Sequence, residues 1–176
     1  GLNAALALFS DLVAEGRDPY VTLAFDDGLT LQAVHDLCQL LSSIETETGI
    51  RVEPPPAGRP YYRAHVPKES FRERSGRRAQ PWELRLKSGE GGVVAALATR
   101  IEQIWHDDRI RPELRIEDMP AATPEAFRVL LDANPGIPVL LVFADPTIRY
   151  ADLLTFVSPV LATHPAVHVF LGEPKD

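Results

Sequence analysis

A chain of 176 residues with 45% apolar and 24% charged residues has material for one globular core, or for two very small ones. Its formal charge of −7 argues against a nucleic-acid partner, because phosphate neutralisation needs a surplus of Lys and Arg on one face. A single cysteine, Cys38, excludes an intrachain disulfide and any multi-cysteine metal site.

In chain order, Leu2 to Ala14 sets Leu2, Leu6, Phe9 and Val13 at helical spacing, and Gly16 follows as a stop. Tyr20 to Phe25 is a β-rich run entered through Asp18-Pro19. Asp26-Asp27-Gly28 turns the chain. Thr30 to Ser43 predicts a helix with Leu31, Val34, Leu37, Cys38 and Leu41 facing inward, so Cys38 reads as a small core hydrophobe. Ile50-Arg51-Val52 starts a strand.

Glu53 to Gln80 differs in composition. It opens on three prolines and carries Tyr61, Tyr62 and a basic cluster of Arg72, Arg74, Arg77 and Arg78. It reads as an insertion or linker without helix or long strand. Trp82 to Lys87 alternates apolar and charged residues, the pattern of a half-buried strand. Val93 to Leu97 fits either a strand or the start of a helix running to Trp105. Pro112 to Asp118 is a second alternating strand. Thr123-Pro124-Glu125 opens a helix, with Pro at the first helical position and Phe127, Leu130 and Leu131 turned inward. Asn134-Pro135-Gly136 ends it. A buried strand over 138–144, a helix over about 150–163 and a last strand over 167–171 follow. Tyr20–Val52 and Val139–Leu171 echo one another as strand, Asp-turn, helix, strand, an order that any α/β protein repeats. The expected fold is α/β: a short mixed sheet, helices on one face, and βαβ-like units. The expected divisions are 1–53, a Pro/Arg-rich stretch 54–81, and 82–176.

Catalytic and metal chemistry find little support in the spacing. His106-Asp107-Asp108 follows Trp105 at an expected helix end, and adjacent residues there do not converge on a metal. His168 reads as a solvent-side strand residue. Gly89-Glu90-Gly91-Gly92 lacks the spacing and the Lys-Ser/Thr of a phosphate loop. Cys38 sits among leucines, away from the exposed helix start where a thiolate is stabilised. Asp26, Asp27 and Asp145 precede helices, where Asp caps exposed N–H groups or forms Asx-turns. No cofactor, metal or catalytic residue is assigned.

The stretch PVLLVFADPTIRYADLLTFVSPVLATHPAVHVFL, from Pro138 to Leu171, resembles the periplasmic domain of the ExbD/TolR family. The likeness lies in a strand ending in Ala-Asp, a Tyr five residues after that Asp, an amphipathic helix and a final apolar strand. With Trp82 to Lys87 as the opening strand, it extends from Trp82 to Gly172. These are small non-catalytic partners of proton-driven envelope motors, with two helices on one face of a short sheet. The resemblance implies a homodimer, a motor subunit of the ExbB/TolQ type, and a TonB/TolA-like protein or peptidoglycan as further partners. It implies a periplasmic domain held at the inner membrane by an upstream anchor. It also implies that Asp145 caps the following helix and that Tyr150 packs on the sheet edge with its hydroxyl near water. Residues 1–80 are an extension that the family domain lacks. Tyr61, Tyr62, Arg72 and Arg74 are the best contact residues in it, because aromatic and Arg side chains carry most interface energy.

Two other readings stand beside this one: a soluble, cytoplasmic α/β ligand-binding or interaction module, and an enzyme with a site between the turns at Asp26-Asp27 and Asp145. No stretch reaches the ~18 apolar residues that span a bilayer, and Leu2–Phe9 lacks the basic flank of a signal peptide. Limited trypsin digestion is expected to cut first near Arg72–Arg78. First cleavage elsewhere, with that cluster resistant, would show the segment to be packed.

Overall fold

The least interrupted apolar run, Val139–Ala144, lies inside a six-stranded mixed sheet with parallel neighbours on both sides. The computed structural model describes residues 2–17, 20–22, 25–48, 51–53, 64–65, 80–90, 92–107 and 112–174. In chain order the elements are α1 (Leu2–Ala14), β1 (Tyr20–Thr22), α2 (Leu31–Thr48), β2 (Arg51–Glu53) and β3 (Ala64–His65). Then come β4 (Trp82–Gly89), β5 (Gly92–Ile104), β6 (Glu113–Pro120), α3 (Pro124–Ala133) and β7 (Val139–Ala144). The chain closes with α4 (Tyr150–Val157), a 3-10 turn at Ser158–Val160, and β8 (Ala166–Leu171).

The sheet runs β3-β8-β7-β4-β5-β6. Its first four strands are parallel, and β4, β5 and β6 form an antiparallel meander. Strands β1 and β2 form a separate parallel pair. The parallel pairs β1-β2 and β7-β8 each enclose one helix, so the strand–turn–helix–strand echo of the sequence is present in the fold.

Alternation along the strands sorts side chains to two faces. Leu84 and Leu86 of β4, Leu140 and Val142 of β7, and Val167 and Val169 of β8 enter the main core. There they join Leu31, Val34 and Cys38 of α2, Phe127 and Leu131 of α3, and Leu153, Phe156 and Val157 of α4. Leu141, Phe143 and Phe170 form a second cluster on the opposite face, where the two rings stack with centroids 5.1 Å apart. An apolar residue at every position of β7 thus serves two faces at once.

Several local expectations are corrected. Residues 93–104 form strand throughout, so His106 follows a strand and not a helix; it pairs with Glu113 across the β5–β6 connection at 3.2 Å. The charged face of β4 is covered at its start, where Glu83 is 1% exposed, and reaches water only at Lys87. Arg85 reaches across the sheet to Thr99 Oγ1 at 2.7 Å and also pairs with Asp118. Strand β6 is the reverse case, exposed where half-burial was expected, because it is the outermost strand of the described sheet. On α2, Leu37 is exposed rather than inward. The last helix is shorter than expected, giving way to the 3-10 turn at Ser158-Pro159. Inside the stretch read as a linker, Ala64–His65 pairs with β8. Tyr61, Tyr62, Arg72 and Arg74 lie outside the described residues.

The amides of Leu140–Phe143 are expected among the slowest to exchange with solvent, since they sit between two paired strands. Leu140→Ala, at a wholly buried site, should cost about 2–5 kcal/mol in chemical denaturation. Fast exchange or a cost under about 1 kcal/mol would contradict an interior position.

Candidate functional site

The turn that ends β7 begins at Asp145, whose N–H is tied to the Leu86 carbonyl of β4 at 3.0 Å. The Asp145 carboxylate folds back on its own loop: Oδ1 accepts from Thr147 N at 2.9 Å and from Thr147 Oγ1 at 2.7 Å. The Asp145 carbonyl accepts from Ile148 N at 3.1 Å. Asp26 does the same at the other acidic turn. Its Oδ1 accepts from Gly28 N at 2.8 Å, and its carbonyl accepts from Leu29 N at 3.1 Å. Both are Asx-turns, and in each the helix begins five residues after the aspartate, at Leu31 and at Tyr150.

The two turns then cap each other's helices. A helix start leaves backbone N–H groups without partners. Leu31 N donates to Ile148 O at 2.8 Å, and Tyr150 N donates to Leu29 O at 2.7 Å. One residue on, Gln32 N donates to Pro146 O at 3.0 Å, and Ala151 N to Asp27 O at 3.1 Å. Thr30 and Arg149 form an antiparallel bridge between these pairs. The pattern maps onto itself when Asp26 is exchanged with Asp145, an approximate two-fold relation between segments 119 residues apart (145 − 26).

This corrects the expected role of Asp145. It accepts a backbone N–H, but from Thr147 within the turn. The cap position of α4 is Arg149, which makes no side-chain cap. Tyr150 is corrected as well. It is 1% exposed, fully inside the core, with its ring edge-on to Phe25 at 5.5 Å and 72°. Its hydroxyl is therefore not at the water boundary.

Beside the turn lies a cleft of about 480 Å³, lined by Ser88, Gly89, Gly92, Thr147, Ile148, Arg149 and Asp152. It sits at the carboxyl ends of β4 and β7, the position where open parallel sheets hold ligands. Gly92 has φ +127°, and a Cβ there would meet Asp152 Oδ2 at 3.4 Å, so the β4–β5 hairpin approaches α4 through a glycine. Ser88 Oγ and Thr147 Oγ1 are 2.7 Å apart. Arg149 grips Asp152 with two bonds, at 2.9 and 3.0 Å. Hydrogen bonds from the Thr147 backbone N–H, from its hydroxyl and from Ser88 hold the Asp145 carboxyl below its ordinary value. A carboxylate held ionised in this way is poorly matched to proton transfer near neutral pH.

A second cleft, of about 450 Å³, lies at the opposite end of the sheet, between the start of β4 and the α3–β7 loop. Its wall is fixed by Trp82 Nε1, which donates to Asn134 O at 2.7 Å, and by buried His164, whose Nε2 donates to Pro135 O at 2.8 Å. Among the described residues no group of three His, Cys, Asp or Glu side chains is placed to hold a metal ion.

The sequence singled out Asp145 and Tyr150 and brought the two acidic turns into one hypothesis; the structure does set those turns side by side. Ser88, Thr147 and the Arg149–Asp152 pair were not foreseen. The three-residue spacing of Arg149 and Asp152 was the available signal. Comparison with protein-family models, with curated proteins and with solved structures finds no match to this chain.

Asp145→Ala should cost about 0.5–2 kcal/mol at neutral pH, the range for losing a side-chain acceptor of backbone N–H groups. The sign with pH follows from the lowered folded value. The carboxylate's contribution is present above the ordinary Asp value of about 3.9 and is lost as pH falls through the folded value below it. The melting curves of wild type and Asp145→Ala should therefore converge in acid. Tyr150→Ala should cost more, about 3–5 kcal/mol, as for a fully buried aromatic. An unchanged neutral-pH melt for Asp145→Ala would show that the Asx-turn is dispensable.

Proposed function

We propose that this chain is a non-enzymatic, ExbD/TolR-like periplasmic coupling domain of a proton-motive-force-driven envelope complex. The observation that carries the reading is the order β7, Asp145 turn, Tyr150, α4, β8 over the stretch that carries the sequence resemblance. The acidic turn supports it too, because its carboxylate is engaged in shaping the loop and not in holding a reactive group. A coupler of this kind works as a homodimer alongside an ExbB/TolQ-like motor subunit, with a TonB/TolA-like protein or peptidoglycan as the element it engages. Among the described residues no helix is long and apolar enough to cross a membrane.

A second reading, a soluble α/β interaction module, is favoured by one observation. The N-terminal unit, which lies outside the resemblance, supplies half of the reciprocal caps at the Asp145 turn. Fractionation of the tagged natural protein in its own host separates the two. The first reading expects it in the inner-membrane fraction, co-purifying with a polytopic ExbB/TolQ-like subunit. Recovery from the cytosolic fraction without such a subunit overturns it in favour of the second.

A further inference from the structure

We infer that the cleft at the carboxyl ends of β4 and β7 is a binding site for a small neutral polyhydroxyl solute, a sugar or polyol, held through its hydroxyl groups by Arg149, Asp152 and Ser88. The inference rests on the cleft alone and stands apart from the functional reading above. Strands β4 and β7 are parallel neighbours, yet the chain leaves them in opposite directions. β4 turns into β5 on one side, and β7 passes through α4 to β8 on the other. Diverging connections open a crevice beyond the strand ends, where open sheets bind ligands. The crevice here has about 480 Å³ and is lined throughout by described residues. That volume falls within the span of about 300–1,000 Å³ usual for small-molecule sites.

The lining sets the class of ligand. Its one bulky apolar side chain, Ile148, is 1% exposed and belongs to the core, so an apolar ligand finds little to cover. Gly89 and Gly92 add no side chain from the hairpin. Arg149 and Asp152 cancel in charge. The Asp145 carboxylate stands behind Thr147 and opposes an anion, and the N–H groups at the start of α4 are spent on main-chain carbonyls. The Arg149 guanidinium in turn opposes a cation.

The polar groups nonetheless keep hydrogen-bonding capacity of both kinds. A guanidinium carries five N–H donors, and a carboxylate has about four acceptor positions. Arg149 spends its Nε hydrogen and one Nη2 hydrogen on Asp152, at 2.9 and 3.0 Å. That grip fixes the guanidinium plane, leaves the Nη1 edge as a source of donors, and uses one position on each Asp152 oxygen. Thr147 gives its single hydroxyl proton to Asp145 at 2.7 Å. Ser88 Oγ is therefore the donor across its own 2.7 Å contact with Thr147, and it keeps its lone pairs as acceptors. A hydroxyl both donates and accepts at one atom. Adjacent hydroxyls of a polyol match this lining: each accepts from the Arg149 edge and donates to Asp152 or to Ser88.

Titration of the isotopically labelled whole chain, followed by amide NMR, tests this with glucose and myo-inositol as probes and with acetate and acetamide for comparison. The expected result is a saturable shift of the Ser88, Gly89, Gly92 and Arg149 amides with the polyols, with Kd of about 1–10 mM because no apolar wall assists. Acetate and acetamide should bind about tenfold more weakly or less. Arg149→Ala removes a side chain that is 55% exposed and keeps the main-chain bridge to Thr30, so the fold is retained. It should weaken polyol binding about tenfold or more. Arg149→Lys keeps the charge but loses the fork, and should not restore binding. Ser88→Ala, on the opposite wall, should weaken binding by an independent route. No saturable shift of those amides with either polyol overturns the inference. So does polyol binding that Arg149→Ala and Ser88→Ala both leave unchanged, and so does tighter binding of acetate or acetamide than of the polyols.

Discussion

Four main-chain hydrogen bonds between the Asp26 turn and the Asp145 turn hold this fold together, because each turn supplies the carbonyls that the other's helix start lacks. Leu31 and Tyr150 donate from positions that are 1% exposed, so water cannot replace the lost carbonyls without opening the core. Leaving a buried donor unpaired costs about 1–3 kcal/mol each, against a total stability of about 5–15 kcal/mol for a typical domain. Separating the α2 unit from the α4 unit would therefore remove a sizeable share of the whole. The reciprocity makes the two helices cooperative: neither start is satisfied unless the other turn is formed.

That constraint decides what the acidic turns can do. Side by side, Asp26 and Asp145 suggest paired carboxylates. Each, however, directs an oxygen into its own loop, to Gly28 N and to Thr147, which fixes the carbonyls that the opposite helix needs. The anion-attracting N–H groups of both helix starts are occupied by main-chain carbonyls and, at Ala33, by the Thr30 hydroxyl. What remains open to a ligand at this end is the rim of Ser88, Thr147 and the Arg149–Asp152 pair, polar and already internally bonded. The arrangement suits a stiff surface that meets another macromolecule better than a pocket that performs a reaction.

Legibility in the sequence followed the range of the interactions. The α3 start was plain from Thr123-Pro124-Glu125, and Thr123 Oγ1 does accept from Ala126 N at 3.1 Å. The apolar run of β7 announced burial on both faces, and Cys38 among leucines announced a core residue. Alternation located β4 and β6 as strands but could not rank them. The same pattern lies mid-sheet in β4, where Glu83 is buried, and outermost in β6, where Ile116 is exposed. The 13-residue β5 was ambiguous because Val93–Leu97 fits a helix face and a strand equally well, and its antiparallel neighbours decide. The reciprocal caps left no side-chain signature, since carbonyl and N–H groups are common to every residue. Only the two aspartates hinted at them.

The internal echo shows how much such a hint can carry. Phe25 and Phe143 both precede an acidic turn, but the two lie on opposite sides of the sheet: Phe25 packs on Tyr150 in the main core, and Phe143 stacks on Phe170 behind it. Aligned on the aspartates, Phe25 answers Ala144, and the bonds donated by backbone N–H groups coincide between the two turns. The exchange is conserved where backbone geometry requires it and broken where side-chain packing differs. Asp, an acceptor for the residue two positions on, and a helix five positions on suffice to build each turn; Pro146-Thr147 and Asp27-Gly28 are different chemical solutions to the same curve. The approximate two-fold thus belongs to the main chain at the seam and stops there. The flanking strands are free to differ, so among the described residues β7 runs through a six-stranded sheet while β1 pairs with β2 alone.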